Sequence, residues 1–207
     1  MRRVRSLQAV LLLSLALGLA GLPGQARAKS HLWKFKEIFS NADGTIQYVE
    51  MDVLDPAGTA EWVTVGQHLT STHRDYVIPT DLPNENTYQR SMLFATPAFA
   101  ALPGAPAPDF VLPPGFFDPA GDELRYRSVL DVFAFSAGEL PTEGRLALRR
   151  SDRTTPPNSP ENFAGIESTI DASGAAAVGG LRPLLLLPVL ILVLALHAHW
   201  RRAARPA

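Results

Sequence analysis

Two carboxylates, Glu37 and Glu50, bracket a short segment patterned as a hairpin. Facing carboxylates on paired strands can hold a cation or divide acid and base work between them. They can equally bond backbone or a basic neighbour such as Lys36, Arg125 or Arg127, and that is the expectation here. Two other clusters set oxygen ligands beside glycine: Asn41-x-Asp43-Gly44 and Asp118-x-x-Gly121-Asp122-Glu123. Asp43, Asp118, Asp122 and Glu123 are therefore the candidate calcium ligands. Neither cluster has the full EF-hand spacing with its closing glutamate, and turn chemistry explains both without a metal. The expectation is no bound metal and no cofactor.

Outside the C-terminal tail the histidines are His31, His68 and His73. Zinc ligation or base catalysis would need them to converge with an acid such as Asp75. Their spacing is neither His-x-His nor His-x-x-x-His, so scattered surface positions are expected. The sequence holds no Gly-x-Ser-x-Gly elbow, phosphate-binding loop or dinucleotide fingerprint. Trp33, Trp62, Tyr48 and Tyr76 could form a platform for carbohydrate or peptide. Core positions are the expectation for them, because their large area gains most from burial.

The elements that must position these residues read as β. His31–Ser40 is rich in aromatic and β-branched residues, and Thr45–Val53 alternates, with Ile46, Tyr48 and Glu50 on one face and Gln47, Val49 and Met51 on the other. Asp43-Gly44 between them predicts a hairpin. Further strands are predicted at Glu61–Val65, His68–Thr72, Asp75–Ile78, Arg90–Thr96, Phe110–Leu112, Glu123–Tyr126, Ser128–Phe135 and Arg145–Arg149. One helical turn is predicted at Pro97–Leu102, with proline at its first position. No long stretch repeats its apolar residues every 3.6 positions, so long helices are not expected. Short strands separated by Pro and Gly turns predict an all-β sandwich or small barrel.

The ends carry an address. Arg2, Arg3 and Arg5, the apolar run Leu7–Leu22 and Ala26-Arg27-Ala28 fit a secretory signal peptide, residues 1–28, cleaved between Ala28 and Lys29. Residues 29–150 form the sandwich. Residues 151–180 are rich in Pro, Ala and Gly and read as a flexible stalk. Residues 181–200 read as a transmembrane or sorting helix, and 201–207 as a basic tail with Arg201, Arg202 and Arg205 on the cytoplasmic side.

The chain's formal net charge is −1. Eight of its 19 basic residues lie in 1–28 and 179–207, which hold no acid. Residues 29–178 therefore carry 11 basic residues against 20 acidic ones, a net of −9. That balance argues against a nucleic-acid partner. The chain has no cysteine, so the exported domain must hold together by its core alone. The stretch from Lys29 to Glu167 suffices for one core.

A signal peptide at one end, with Gly179-Gly180, an apolar helix and an arginine cluster at the other, resembles the bacterial C-terminal sorting signals of the GlyGly-CTERM type. The resemblance implies a rhomboid-like sorting protease that cuts near the glycines. Retention of the helix as a plain membrane anchor is the alternative. The Pro-Glu-Pro of a related sorting class is missing, as is a lipobox cysteine.

The segment Glu37-Ile38-Phe39-Ser40-Asn41-Ala42-Asp43-Gly44-Thr45-Ile46-Gln47-Tyr48-Val49-Glu50-Met51 resembles the opening hairpin of lamin-tail domains. Gly66-Gln67-His68-Leu69-Thr70-Ser71, Leu93-Phe94-Ala95 with Phe99, and Thr155-Pro156-Pro157-Asn158-Ser159-Pro160 are similar to later motifs of that family. Gln67 stands where the family has tryptophan, and the family's Asn-Gly pairs are missing. The resemblance implies an immunoglobulin-like antiparallel β-sandwich used for binding or scaffolding. The expectation is thus a non-catalytic module of the bacterial cell envelope or surface. It would meet the membrane through its C-terminal helix and bind a protein or glycan. A periplasmic hydrolase and a calcium-stabilised adhesion module are the alternatives.

Overall fold

A computed structural model describes residues 30–174. β1 (Lys34–Ser40) and β2 (Gln47–Asp52) form the expected antiparallel hairpin. Its turn closes through Gly44, at φ 70°, and through Asn41, whose side-chain oxygen accepts from the Ile46 amide at 3.0 Å. Glycine suits that turn because positive φ costs it no Cβ clash.

β3 (His68–Thr70), β4 (Asp75–Val77), β5 (Ser91–Ala95), a single helical turn α1 (Pro97–Ala100), β6 (Phe110–Val111), β7 (Asp122–Tyr126), β8 (Asp131–Phe135) and β9 (Leu148–Arg149) follow. Two sheets result, in the orders β6-β5-β2-β1-β9 and β4-β3-β7-β8. The fold is thus an all-β sandwich, as the strand spacing predicts. Thr96 caps α1, its hydroxyl accepting from the Phe99 amide, with Pro97 at the first helical position.

The main core lies between the sheets. Phe35, Ile38, Val49, Met51 and Phe94 from one side meet Leu69, Leu124, Tyr126, Phe133 and Phe135 from the other. The Phe35 and Phe133 rings stand 6.0 Å apart. Phe35 and Ile38 are three residues apart yet both face inward, which a regular strand forbids. A β-bulge between Phe35 and Glu37 supplies the extra residue. The bulge also turns Glu37 and Phe39 to the outer face.

That outer face is apolar too. Phe39, Tyr48, Leu93 and Ala95 form a second cluster, covered by Phe99 of α1 and by Ile170 and Ala172. The covering segment corrects the stalk expected from residue 151. Residues 151–174 form a strap that first runs along β9, where Arg149 and Ala147 donate backbone bonds to Thr154 and Pro156 at 2.9 and 3.0 Å. It then crosses the sheet. Asn158, fully buried, donates to the carbonyls of Arg145 and Ile170 at 2.6 and 2.8 Å and accepts from the Ile170 amide at 2.8 Å. Prolines lack an N–H, so a proline-rich strap has few donors to satisfy and needs no ladder of its own. Residues 175–180 of the expected stalk lie outside the described residues.

The predicted strand at Glu61–Val65 is a run of turns instead. Its backbone is satisfied by the facing 80–87 loop: Thr87 Oγ1 accepts from the Glu61 amide at 3.0 Å and Asp81 from the Val65 amide at 2.9 Å.

The two sides of the sandwich differ. On β8 and at the residue before it, the carbonyls of Val132, Ala134 and Leu130 accept from Arg150, Arg153 and Lys34 at 3.3, 3.0 and 3.1 Å. On the opposite side β4 and β6 end their sheets, with Val77 and Val111 half exposed.

Candidate functional site

The hairpin register sets Glu37 directly opposite Glu50, on the face beneath the strap. The bulge brings Lys36 to the same place, with Nζ 2.7 Å from Glu50 Oε1 and 3.7 Å from Glu161 Oε2 of the strap. The Tyr48 hydroxyl is bonded to Glu37, which also accepts from the Ser159 amide at 3.0 Å. Ser91 donates to Glu161 at 2.9 Å. Three carboxyls and one lysine thus rivet strap to sheet. Glu50 is fully buried, and its Oε2 has no hydrogen-bond partner among the described residues. Burial pushes its carboxyl up to about 8, against the pull of Lys36.

The four candidate calcium ligands are each occupied by local bonds. Asp43 accepts from the Thr45 hydroxyl and amide at 2.6 and 3.0 Å, which hold its carboxyl below the usual range. Asp118 accepts from the Ala120 amide at 2.8 Å. Burial pushes Asp122 up, but bonds from Thr72, Asp118 and Glu123 outweigh it and hold the carboxyl low. Glu123 pairs with Arg125 at 2.5 Å. Among the described residues no three His, Cys, Asp or Glu side chains converge as a metal ion would require.

The histidines are dispersed. His31 lies 3.1 Å from Glu61 and His68 lies 2.7 Å from Asp75, on the exposed β3–β4 pair. His73 sits in the turn between those strands. A base held by an acid is half of a hydrolytic triad, but the only bond of the His68 ring among the described residues is the one to Asp75. Trp33 and Tyr48 are fully buried, and Trp62 and Tyr76 pack against the core, as expected of large aromatics.

The arrangement that sequence reasoning missed is a cleft of about 270 Å³ where the strap meets the 80s loop, lined by Pro83, Asn84, Asn86, Arg90, Asp109, Phe163 and Ala164. Asp109 positions it. Its carboxylate accepts from the Leu93 amide of β5 at 2.8 Å and the Phe163 amide of the strap at 2.9 Å. Burial nevertheless pushes it up to about 6. Arg90 is fixed by its backbone, whose carbonyl accepts from Val53 at 3.3 Å. Among the described residues its guanidinium has neither an ion pair nor a hydrogen bond, although Asp109 lines the same cleft. The Asn86 carboxamide and the Asn84 amide nitrogen are likewise unengaged among those residues. Asn84-Glu85-Asn86 beside Pro83 was the visible signal: a polar loop with more side-chain donors than a turn uses.

The processing positions Ala28, Lys29, Gly179 and Gly180 and the cluster Arg201, Arg202 and Arg205 lie outside the described residues. Among the described ones no helix is long and apolar enough to cross a membrane. No family model, no curated protein and no solved structure matches the chain.

Proposed function

We propose that the chain is a non-catalytic binding or scaffolding module of a bacterial envelope or cell surface. Its sandwich is immunoglobulin-like, of the lamin-tail kind. It is exported behind the leader 1–28 and held or delivered by the tail that begins at Gly179-Gly180. The observation that carries the reading is the cleft at Arg90. The four candidate calcium ligands are engaged in local bonds, whereas Arg90, Asn84 and Asn86 offer donors to whatever enters. The net charge of −9 over residues 29–178 supports an exported surface in preference to a nucleic-acid partner.

Two measurements test it. Intact-mass analysis of protein from its native host locates both ends, and a mass beginning at Met1 overturns export by cleavage. A mass ending at Ala207 leaves a permanent anchor in place of sorting. Co-sedimentation with envelope fragments from the same host tests binding, and retention that Arg90→Ala leaves unchanged refutes the cleft as its seat.

A further inference from the structure

We infer that the cleft takes one neutral, polyhydroxylated ring of a glycan, an inference that rests on the binding-module reading above. Arg90 and Asp109 line one cleft without an ion pair between them, and that carries the argument. A guanidinium only donates and a carboxylate only accepts, and here the two share a cleft without pairing. A hydroxyl does both, so a sugar hydroxyl between them accepts from Arg90 and donates to Asp109. The Asn86 carboxamide donates and accepts in the same way, and the Asn84 amide nitrogen adds a further donor for the neighbouring hydroxyl. Phe163 and Pro83 supply carbon surface for the ring's C–H face.

Size and charge narrow the ligand. About 270 Å³ is below the usual range for a drug-sized ligand and suits a single ring. Exposed Asn84, Asn86 and Ala164 leave the rim open for the rest of a chain. An acidic sugar is disfavoured. Asp109 is in the cleft, Asp81 and Glu85 are in its loop, and Glu161 is in the strap, against Arg90, the one cation of the lining among the described residues, and the already paired Lys36. Among the described residues the Arg90 guanidinium and the Asn86 carboxamide make no hydrogen bond, whereas Asn84 Oδ1 accepts from the Asn86 amide at 2.9 Å, so the variants are made at Arg90 and Asn86.

The test uses the full-length chain in a phosphocholine detergent, which has no sugar headgroup. Saturation-transfer NMR is recorded with methyl glucoside, methyl mannoside, methyl galactoside, N-acetylglucosamine and, as the anionic comparator, glucuronate. The expected result is transfer to the ring protons of at least one neutral sugar at millimolar concentration, lost in Arg90→Ala and in Asn86→Ala. Circular dichroism and melting checks accompany each variant. Should Arg90→Ala unfold, Asn86→Ala decides. Stronger transfer to glucuronate than to every neutral sugar overturns the inference, as does transfer that survives both substitutions. No transfer to any sugar, with Arg90-dependent envelope co-sedimentation intact, also overturns it and leaves the binding module standing. Failure of both removes the module reading as well.

Discussion

Glu37 faces Glu50 across the β1–β2 ladder, and the Lys36 ammonium bonds Glu50 at 2.7 Å. Each carboxyl is differently served. Glu37 takes a hydroxyl and an amide, while Glu50 has the lysine on one oxygen and nothing on the other among the described residues. Like carboxyls set side by side on paired strands repel when both ionise. Protonation of Glu50 relieves that repulsion and the burial of a charge together.

Stability should therefore fall as pH rises through the Glu50 window. Its carboxyl titrates near 4.5 when unfolded and near 8 when folded. The folded state holds the proton more tightly, so this group's contribution is complete below about 4.5 and is lost on the way to 8. The slope contributed by one such proton is about 1.4 kcal/mol per pH unit. Urea denaturation from pH 5 to 8 should show this decline, and Glu50→Gln should flatten it. An equally steep decline in the Gln variant would assign it to other groups.

Lys36→Met should be mild below pH 8 and grow costlier above it. The ammonium pulls the Glu50 carboxyl down, so without it burial holds the proton to higher pH. Each pH unit above 8 should then add about 1.4 kcal/mol to the loss, towards the ~3–5 kcal/mol of a broken buried pair. In the Glu50→Gln background the growth between pH 8 and pH 9.5 should vanish, and its persistence there would contradict the pairing.

Gly144→Ala should loosen the strap. Gly144 sits at φ 94°, and a Cβ there would come 2.5 Å from the Ser173 nitrogen and 2.6 Å from the Ala172 carbonyl carbon. Strain from the left-handed backbone alone is about 1–2 kcal/mol, and the clash adds to it. Hydrogen exchange at Ala172, whose amide donates to Gly144 at 2.8 Å, should accelerate more than at Val49 in the core. Equal acceleration at the two would mean global destabilisation.

A chain ended after Arg150 should not fold to a soluble monomer. It would uncover Phe39, Tyr48 and Leu93 and strip Glu37 and Ser91 of their strap partners. Light scattering and dye binding measure the exposed surface. A monodisperse, cooperatively melting fragment would restore residue 150 as the domain's end.

The strands were legible because alternation and turn residues are local signals. The β1–β2 register follows from Asp43-Gly44 and the alternating Gln47–Asp52, and the Glu37–Glu50 pairing follows from the register. The strap was not legible. Its composition is that of a tether, and what fixes it is long-range: Asn158 reaching Ile170, Ser159 reaching Glu37, Phe163 reaching Asp109. The cleft was invisible for the same reason, since Arg90, Asp109 and Phe163 meet only once the strap is in place. The predicted Glu61–Val65 strand failed because side chains of the facing loop satisfied its backbone before a neighbouring strand could.

The three basic side chains that reach the β8 edge bear on crowding. A sheet edge with bare carbonyls is a template on which identical chains can stack into fibres. Here Lys34, Arg150 and Arg153 occupy the carbonyls of Leu130, Val132 and Ala134. A neighbour approaching from that side meets side chains already bonded to those carbonyls, and paired with Asp131 and Glu139, where it would need free acceptors. At high concentration, many copies of this domain can stand flank to flank without that edge seeding an aggregate.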